Sequence, residues 1–200
     1  MFQFKMEIKK FINKHKGILG EDNTKYLYQF LKVQNQFLFF YIMAKVHKDP
    51  WVPRPIVLQC GSLINGLACW LTQELKLLSK KMPSYLSNFL ELKHELEKLE
   101  LDSNKTYILF TANATTMYTN MTTLHAIKHI SWFLKQSPLC THMKIQPIIN
   151  ALNLVMQNNI FKFGDTYWSQ TSGTAMGTSP GYDYATIYYG IYKMTTILWK

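Results

Sequence analysis

Hydrophobic positions along the first 60 residues predict a long helical segment followed by a β-hairpin. Residues 1–35 carry apolar side chains at helical spacing, with a break marked by Gly17 and Gly20. Residues 37–46 and 54–59 are dense in aromatic and β-branched residues, which is the pattern of two strands. The connection between these strands contains two prolines, so we expect a turn that closes a basic hairpin.

Two helices, each with one apolar face, are predicted in the middle of the chain. The first covers 62–80, and the second covers 88–100 with Asn88 as its cap and Glu91 three residues later. The side chains expected to point inward are Leu63, Leu67, Trp70, Leu71, Leu75 and Leu78, then Phe89, Leu92, Leu96 and Leu99. The remaining acids of the second helix would then form a solvated face.

The second half of the chain mixes helical and strand-like patterns irregularly. The predicted elements are a strand at 107–113, helices at 122–135 and 146–158, a hairpin at 161–169 that turns at Gly164, a glycine-rich turn at 171–181 and an aromatic helix after it. Helices mixed with few strands in this way predict an α+β fold with a layered sheet.

The charge of the chain favours an anionic partner. Its 200 residues include 22 Lys and Arg against 12 Asp and Glu, a net charge of +10. Such an excess is typical of nucleic-acid-binding proteins, although an AT-rich coding bias toward lysine would produce it too. The one arginine among the 22 basic residues is Arg54, and a guanidinium offers phosphate a planar, bidentate fork. A surface arginine placed by chance is the alternative interpretation.

Cysteine usage and the length of apolar runs indicate an intracellular protein, nuclear or cytoplasmic. Cys60, Cys69 and Cys140 show no CxxC spacing, which argues for reduced thiols and against a zinc site. The longest apolar run, 37–44, is far shorter than the roughly 20 residues of a transmembrane helix, and the N-terminus lacks the apolar core of a signal peptide. We therefore expect no membrane partner.

No pattern of reactive residues stands out by itself. The twelve acids are dispersed, and no two lie at strand ends as a pair for two-metal chemistry. His125 and His129 have the i, i+4 spacing of a helical metal pair, but without an HExxH context a solvated or capping role is favoured. The glycine-rich turn permits close approach of a ligand to the backbone, yet no GK[ST] follows it, and an ordinary turn is the simpler interpretation.

Six segments carry a resemblance to a known family. They read FYIMAKVHK, PRPIV, CGSLINGL, MYTNM, NNIFKF and SGTAMGTSP. In order and spacing they resemble the reverse transcriptases of Penelope-like elements and related retroelements. The resemblance implies a right-hand polymerase fold with fingers and a partial palm but no thumb. It divides the chain into a helical lead-in at 1–35 and a partial reverse transcriptase domain at 36–200, with a fingers hairpin at 37–59 and a palm at 105–200.

The resemblance also implies partners, a cofactor and site residues. The partners are an RNA template, a DNA primer and a dNTP, and the cofactor is Mg²⁺. The residues that it assigns to nucleotide binding are Lys45, Lys48, Arg54, Ala114, Tyr118, Met176 and Gly177. Arg54 would clamp the triphosphate, Tyr118 would lie under the sugar and exclude a ribose 2′-hydroxyl, and Gly177 would let its loop approach the templating base.

The segment FTANATTMYTNM, residues 110–121, would be the first catalytic motif of the palm. Asn113 stands where the family has an aspartate that binds both magnesium ions. An amide lacks the charge and one acceptor oxygen of a carboxylate, and hard Mg²⁺ prefers charged oxygen. The family's later aromatic-x-Asp-Asp hairpin does not occur among these residues. We therefore expect a truncated, inactive reverse transcriptase domain that has no competent metal site.

Two other hypotheses stay open. The first is that the chain is a non-catalytic nucleic-acid-binding module that keeps the basic hairpin. The second is that it is an unselected retroelement remnant without a stable fold. A palm sheet without its central hairpin would expose edge strands and apolar surface, which favours the second of these. The sequence leaves enzymatic activity uncertain and does not determine the oligomeric state.

Overall fold

The computed structural model describes residues 2–33, 37–138 and 140–197 and has an α+β architecture. The helices in these ranges are α1 Phe2–Phe30, α2 Asn65–Ser79, α3 Phe89–Glu97, α4 Met117–Asn120, α5 Thr123–Gln136, α6 His142–Gln157 and α7 Gly181–Tyr192, followed by a π-helical turn at Lys193–Ile197. The strands are β1 Leu38–Lys45, β2 Val52–Leu58, β3 Ile160–Phe163 and β4 Thr166–Ser169. The predicted α+β class is confirmed.

Helix α1 contributes its apolar face to the same core as α2 and α6. Ile8, Ile12 and Leu27 are buried in that core. The helical dihedral angles of α1 are interrupted at Gly20, whose φ of 77° is readily available to glycine. The predicted break is therefore correct at Gly20 and wrong at Gly17, which lies within regular helix.

The four strands form one mixed sheet in the order β2-β1-β3-β4. Both predicted hairpins are present, as the antiparallel pairs β1–β2 and β3–β4. A short parallel contact joins them, with Leu38 opposite Phe161. Phe40 stacks on Phe161 with ring centroids 5.0 Å apart, which adds an aromatic contact across the joint between the hairpins.

Strand β2 forms an edge of the sheet and contains two prolines. The amide of Val57 points away from β1, because it donates to the carbonyl of Met176 at 2.7 Å. Pro53 and Pro55 share the alternation of Val57 along the strand, so their missing N–H groups also face the outer edge. Both prolines are tolerated because they remove no hydrogen bond to β1.

The core lies between α2 and the helices α1, α6 and α7, which pack around it. All six inward residues predicted for the segment 62–80 are buried, among them Leu71 and Leu75. Burying a leucine side chain stabilises a fold by about 1.5–3 kcal/mol, so this helix is a main contributor to the core. Helix α6 begins at His142, four residues before the predicted start, and contains Pro147. No helix in the described ranges combines the length and the apolar character needed to cross a membrane.

The predicted strand at 107–113 is wrong. These residues belong to no helix or strand, and Ile108 and Leu109 are 84% and 86% exposed. A strand is stabilised by pairing with a neighbour, and no strand in the described part of the chain lies beside this segment. The apolar pattern therefore identified a segment with strand propensity but without a partner.

Helix α3 forms where it was predicted but does not bury the predicted face. The side chain of Asn88 caps it by accepting a hydrogen bond from the Glu91 amide at 3.0 Å, as expected. The four residues expected to point inward, Phe89, Leu92, Leu96 and Leu99, are instead exposed. Every residue from 86 to 116 is exposed, so this helix and the irregular segment after it form one region that is not packed against the core.

Candidate functional site

A cleft of about 760 Å³ lies between the edge strand β2, the turn before α4 and the glycine-rich loop 171–181. Its lining consists of Lys45, residues 52–56, residues 113–119, residues 175–178, Gly181 and Tyr182. The structure thus brings together seven of the residues proposed from the sequence: Lys45, Arg54, Asn113, Ala114, Tyr118, Met176 and Gly177. They come from three segments that are separated by more than 50 residues along the chain.

Two cations lie on the same face of the hairpin and line the cleft. Lys45 pairs with Val52, and Arg54 follows two residues later, so the two basic side chains are diagonal neighbours. Diagonal positions on a sheet lie within reach of long side chains. Neither cation has an ion-pair partner among the described residues. The cleft therefore has an uncompensated positive wall.

Lys48 does not line this cleft. It lies in the turn between β1 and β2, exposed to solvent, and its amide donates to the carbonyl of Lys45 at 3.1 Å. The resemblance grouped Lys48 with Lys45 because both would lie on the fingers hairpin. The turn carries Lys48 beyond the end of the sheet, so the two lysines have different surroundings.

A tight turn presents Tyr118 to the cleft. Thr116 has a φ of 48°, which is costly for a β-branched residue. The side chain of Asn120 bonds the Thr116 hydroxyl at 2.6 Å and the Thr115 carbonyl at 3.2 Å. Asn120 thus closes the turn, and the short helix α4, which the sequence did not predict, begins directly after Thr116.

The glycine-rich loop joins the two walls of the cleft. Its Thr174 amide donates to the Tyr118 carbonyl at 2.7 Å, and its Met176 carbonyl accepts from Val57 on β2 at 2.7 Å. A Cβ atom on Gly173 would lie 3.1 Å from the Tyr118 carbonyl oxygen. A Cβ atom on Gly177 would lie 2.9 Å from Ile56 and 3.0 Å from the Val57 carbonyl oxygen. Packing against protein therefore already requires glycine at 173 and 177.

Two tyrosines, Tyr118 and Tyr182, also line the cleft. Tyr118 is half-buried, and burial, with a smaller effect of neighbouring Tyr182, raises the pKa of its phenol. Tyr118 is therefore a neutral hydrogen-bonding group at physiological pH. Sequence reasoning missed Tyr182, which is 61% exposed in the first turn of α7. Its position directly after the glycine-rich loop was the available signal.

No carboxylate from the described residues lines the cleft. The neighbouring acid in sequence, Asp183, is buried and turned inward, where it accepts a hydrogen bond from Ser79 at 2.6 Å. The oxygen atoms that the cleft offers to a metal ion are therefore those of hydroxyls, backbone carbonyls and the Asn113 side-chain amide. Two-magnesium chemistry depends on carboxylates that hold both ions, so the residues present do not fit that cofactor.

Comparison of the chain with protein-family models, with curated proteins and with solved structures found no match. What the cleft can bind therefore follows from its own residues. A wall with Lys45 and Arg54 attracts an anionic group, and Arg54 in particular suits a bidentate phosphate contact. The phenols of Tyr118 and Tyr182 offer flat apolar surface to the remainder of such a ligand.

Proposed function

We propose that the chain is a reverse-transcriptase-like domain whose cleft binds the phosphates of a nucleotide but does not catalyse polymerisation. The observation that carries this proposal is that Lys45 and Arg54 line one cleft together with Asn113 and Tyr118, and that no carboxylate of the described residues belongs to its lining. In this proposal the hairpin β1–β2 corresponds to polymerase fingers, and the helices α4 to α7 belong to a partial palm.

The cleft offers suitable contacts to both the triphosphate and the sugar of a nucleotide. The triphosphate carries the charge that Arg54 and Lys45 would neutralise, and a charge-assisted hydrogen bond contributes about 1.5–3 kcal/mol. The sugar would rest on Tyr118, whose main chain is fixed by the loop bond to Thr174. A ring held in this way discriminates against a ribose 2′-hydroxyl by steric exclusion, so we expect dNTPs to bind more tightly than NTPs.

Binding of a fluorescent dNTP in EDTA tests the proposal directly. Arg54→Ala and Lys45→Ala should each weaken binding by about tenfold or more, which corresponds to about 1.4 kcal/mol. Lys48→Ala is the matched control, because it removes the same charge from the same hairpin outside the cleft. Equal losses in Lys45→Ala and Lys48→Ala would show that the hairpin attracts anions generally and that the cleft has no specific role.

Primer extension tests the catalytic half of the proposal. With an RNA template, a DNA primer, dNTPs and Mg²⁺, the chain should add no nucleotide above background, because Asn113 offers no charge to hold the metal. Extension that depends on the protein would contradict the inactive assignment. Nucleotide binding in EDTA is measured without metal and without extension, so the binding and the lack of catalysis are tested independently.

A second candidate function, general nucleic-acid binding, is favoured by a groove on α1. The groove of about 420 Å³ is lined by Lys5, Met6, Lys9, Lys10, Asn13 and Leu31. Its three lysines have no ion-pair partner within the described ranges. This candidate predicts strongly salt-dependent binding of an RNA–DNA hybrid. Loss of hybrid binding on Lys9→Ala and Lys10→Ala, with no loss on Arg54→Ala, would favour it over the cleft.

A further inference from the structure

Helix α5 carries two histidines on one face, outside the cleft. His125 and His129 are one helical turn apart, and their ring centroids lie 4.0 Å from each other with the rings tilted by 45°. His125 is exposed and His129 is partly exposed, so solvent reaches the pair. Both residues lie inside the helix rather than at its cap, so of the solvated or capping role favoured from the sequence only the solvated one agrees with the structure.

The hydrogen bond of His129 determines its tautomer. Its Nδ1 atom lies 3.1 Å from the backbone carbonyl oxygen of His125. A carbonyl oxygen accepts hydrogen bonds and cannot donate, so Nδ1 must carry the proton in this contact. In the neutral imidazole the lone pair is then on Nε2, which is the form that binds a metal ion.

The Nδ1 atom of His125 is also occupied. It lies 3.0 Å from the phenol oxygen of Tyr188, which belongs to the neighbouring helix α7. A phenol oxygen can accept a hydrogen bond, so this contact is compatible with a proton on Nδ1 of His125 and a lone pair on its Nε2. Neither Nε2 atom of the pair has a hydrogen-bond partner in the part of the chain that the structure describes.

We propose that His125 and His129 form a binding site for a divalent first-row transition cation, with the two Nε2 atoms as ligands. Two imidazoles one helical turn apart can share one metal ion, and the contacts at both Nδ1 atoms correspond to the hydrogen bonds that orient metal-binding histidines. Imidazole suits Zn²⁺, Ni²⁺ and Cu²⁺, whereas Mg²⁺ prefers oxygen. Water would occupy the remaining coordination positions, and the site is independent of the proposed nucleotide cleft.

Calorimetric titration of the tag-free full chain with Ni²⁺ tests the site. We expect one high-affinity equivalent, and His125→Ala and His129→Ala should each lower its affinity at least tenfold. His94→Ala, on the exposed helix α3, is the matched control and should leave this affinity unchanged. Melting curves for each variant establish that the protein remains folded. Unchanged affinity in the folded His129→Ala variant, or an equal loss in His94→Ala, would overturn the proposal.

Two further measurements separate ligation from a structural role of the pair. Tyr188→Phe removes the oxygen that orients His125, so affinity should fall by about tenfold while the stoichiometry stays at one. Electron paramagnetic resonance of the Cu²⁺-loaded chain should show coupling to two imidazole nitrogens, and to one in His129→Ala. A Cu²⁺ spectrum that is identical in the wild type and in His129→Ala would show that the metal binds elsewhere.

Discussion

The backbone carbonyl of Tyr118 accepts a hydrogen bond from the backbone amide of Thr174 at 2.7 Å. The two residues lie 56 positions apart in sequence, and this bond fixes the turn before α4 to the glycine-rich loop. Because the loop also bonds β2 through Met176, one segment holds both walls of the cleft. The cleft is therefore preformed by main-chain contacts, and changes to its side chains should alter binding more than folding.

Gly173→Ala should disturb this junction and destabilise the fold. The position has a φ of 75°, and the added Cβ would lie 3.1 Å and 3.2 Å from backbone atoms of Tyr118 and Thr119. We expect a loss of about 1–3 kcal/mol in the free energy of unfolding, measured with urea. Gly17→Ala is the control, because Gly17 is helical with open space around it and alanine there should stabilise by up to about 1 kcal/mol. The same loss in both variants would contradict this account.

Asn113→Asp should weaken metal-free nucleotide binding. The new carboxylate would line the same cleft as the phosphates held by Arg54 and Lys45, and like charges about 4 Å apart in water repel by about 1 kcal/mol, or roughly fivefold in affinity. Titration of a dNTP in EDTA measures this effect, with Asn113→Ala as the uncharged control. Adding Mg²⁺ should recover part of the loss in Asn113→Asp alone. Tighter metal-free binding by the aspartate variant would argue that phosphates do not lie beside residue 113.

Ser79→Ala should destabilise the packing of α2 against α7. The Ser79 hydroxyl donates to buried Asp183 at 2.6 Å, so its removal leaves a buried carboxylate short of one donor. A lost hydrogen bond to a charged group costs about 1.5–3 kcal/mol, which urea unfolding can measure. Ser131→Ala provides the comparison within another helix, where the described residues offer the serine no carboxylate partner. We expect little change there, and equal costs at the two positions would refute the role of Asp183.

His15 should make stability fall as the pH decreases below about 6.5. Burial, reinforced by Lys14, lowers the pKa of this histidine in the folded protein, so the unfolded chain binds the proton more readily. Its Nε2 atom also lies 2.9 Å from the Asn150 amide nitrogen, a contact that requires neutral imidazole. The stability contribution is complete above about pH 6.5 and is lost as the pH falls from there toward the lowered pKa.

Urea unfolding at pH 7.5 and pH 5.5 measures this dependence. The wild-type chain should lose stability between the two values, and His15→Gln should lose less because glutamine does not titrate. His142→Gln, at the exposed start of α6, controls for the removal of any histidine. If His15→Gln keeps the full wild-type pH dependence, other groups cause it.

Local pattern predicted the elements well wherever one face was strongly apolar. The segment 62–80 and both hairpins formed as expected, because side-chain periodicity and turn residues act over a few positions. The failures share a different cause. Helix α3 and the segment 107–113 had the correct local pattern, but burial and strand pairing depend on neighbours that a local pattern does not specify. Tyr182 was missed for the same reason.

The sequence by itself determined the longer helices, the hairpins, the excess of positive charge and the absence of a carboxylate from residues 110–121. Tertiary structure decided which of these features meet. It placed Arg54 and Lys45 in one cleft with Tyr118, removed Lys48 from that cleft, turned Asp183 inward toward Ser79 and brought Tyr188 to His125. The physical reason is that such contacts join residues far apart in sequence, whose proximity depends on how the whole core packs.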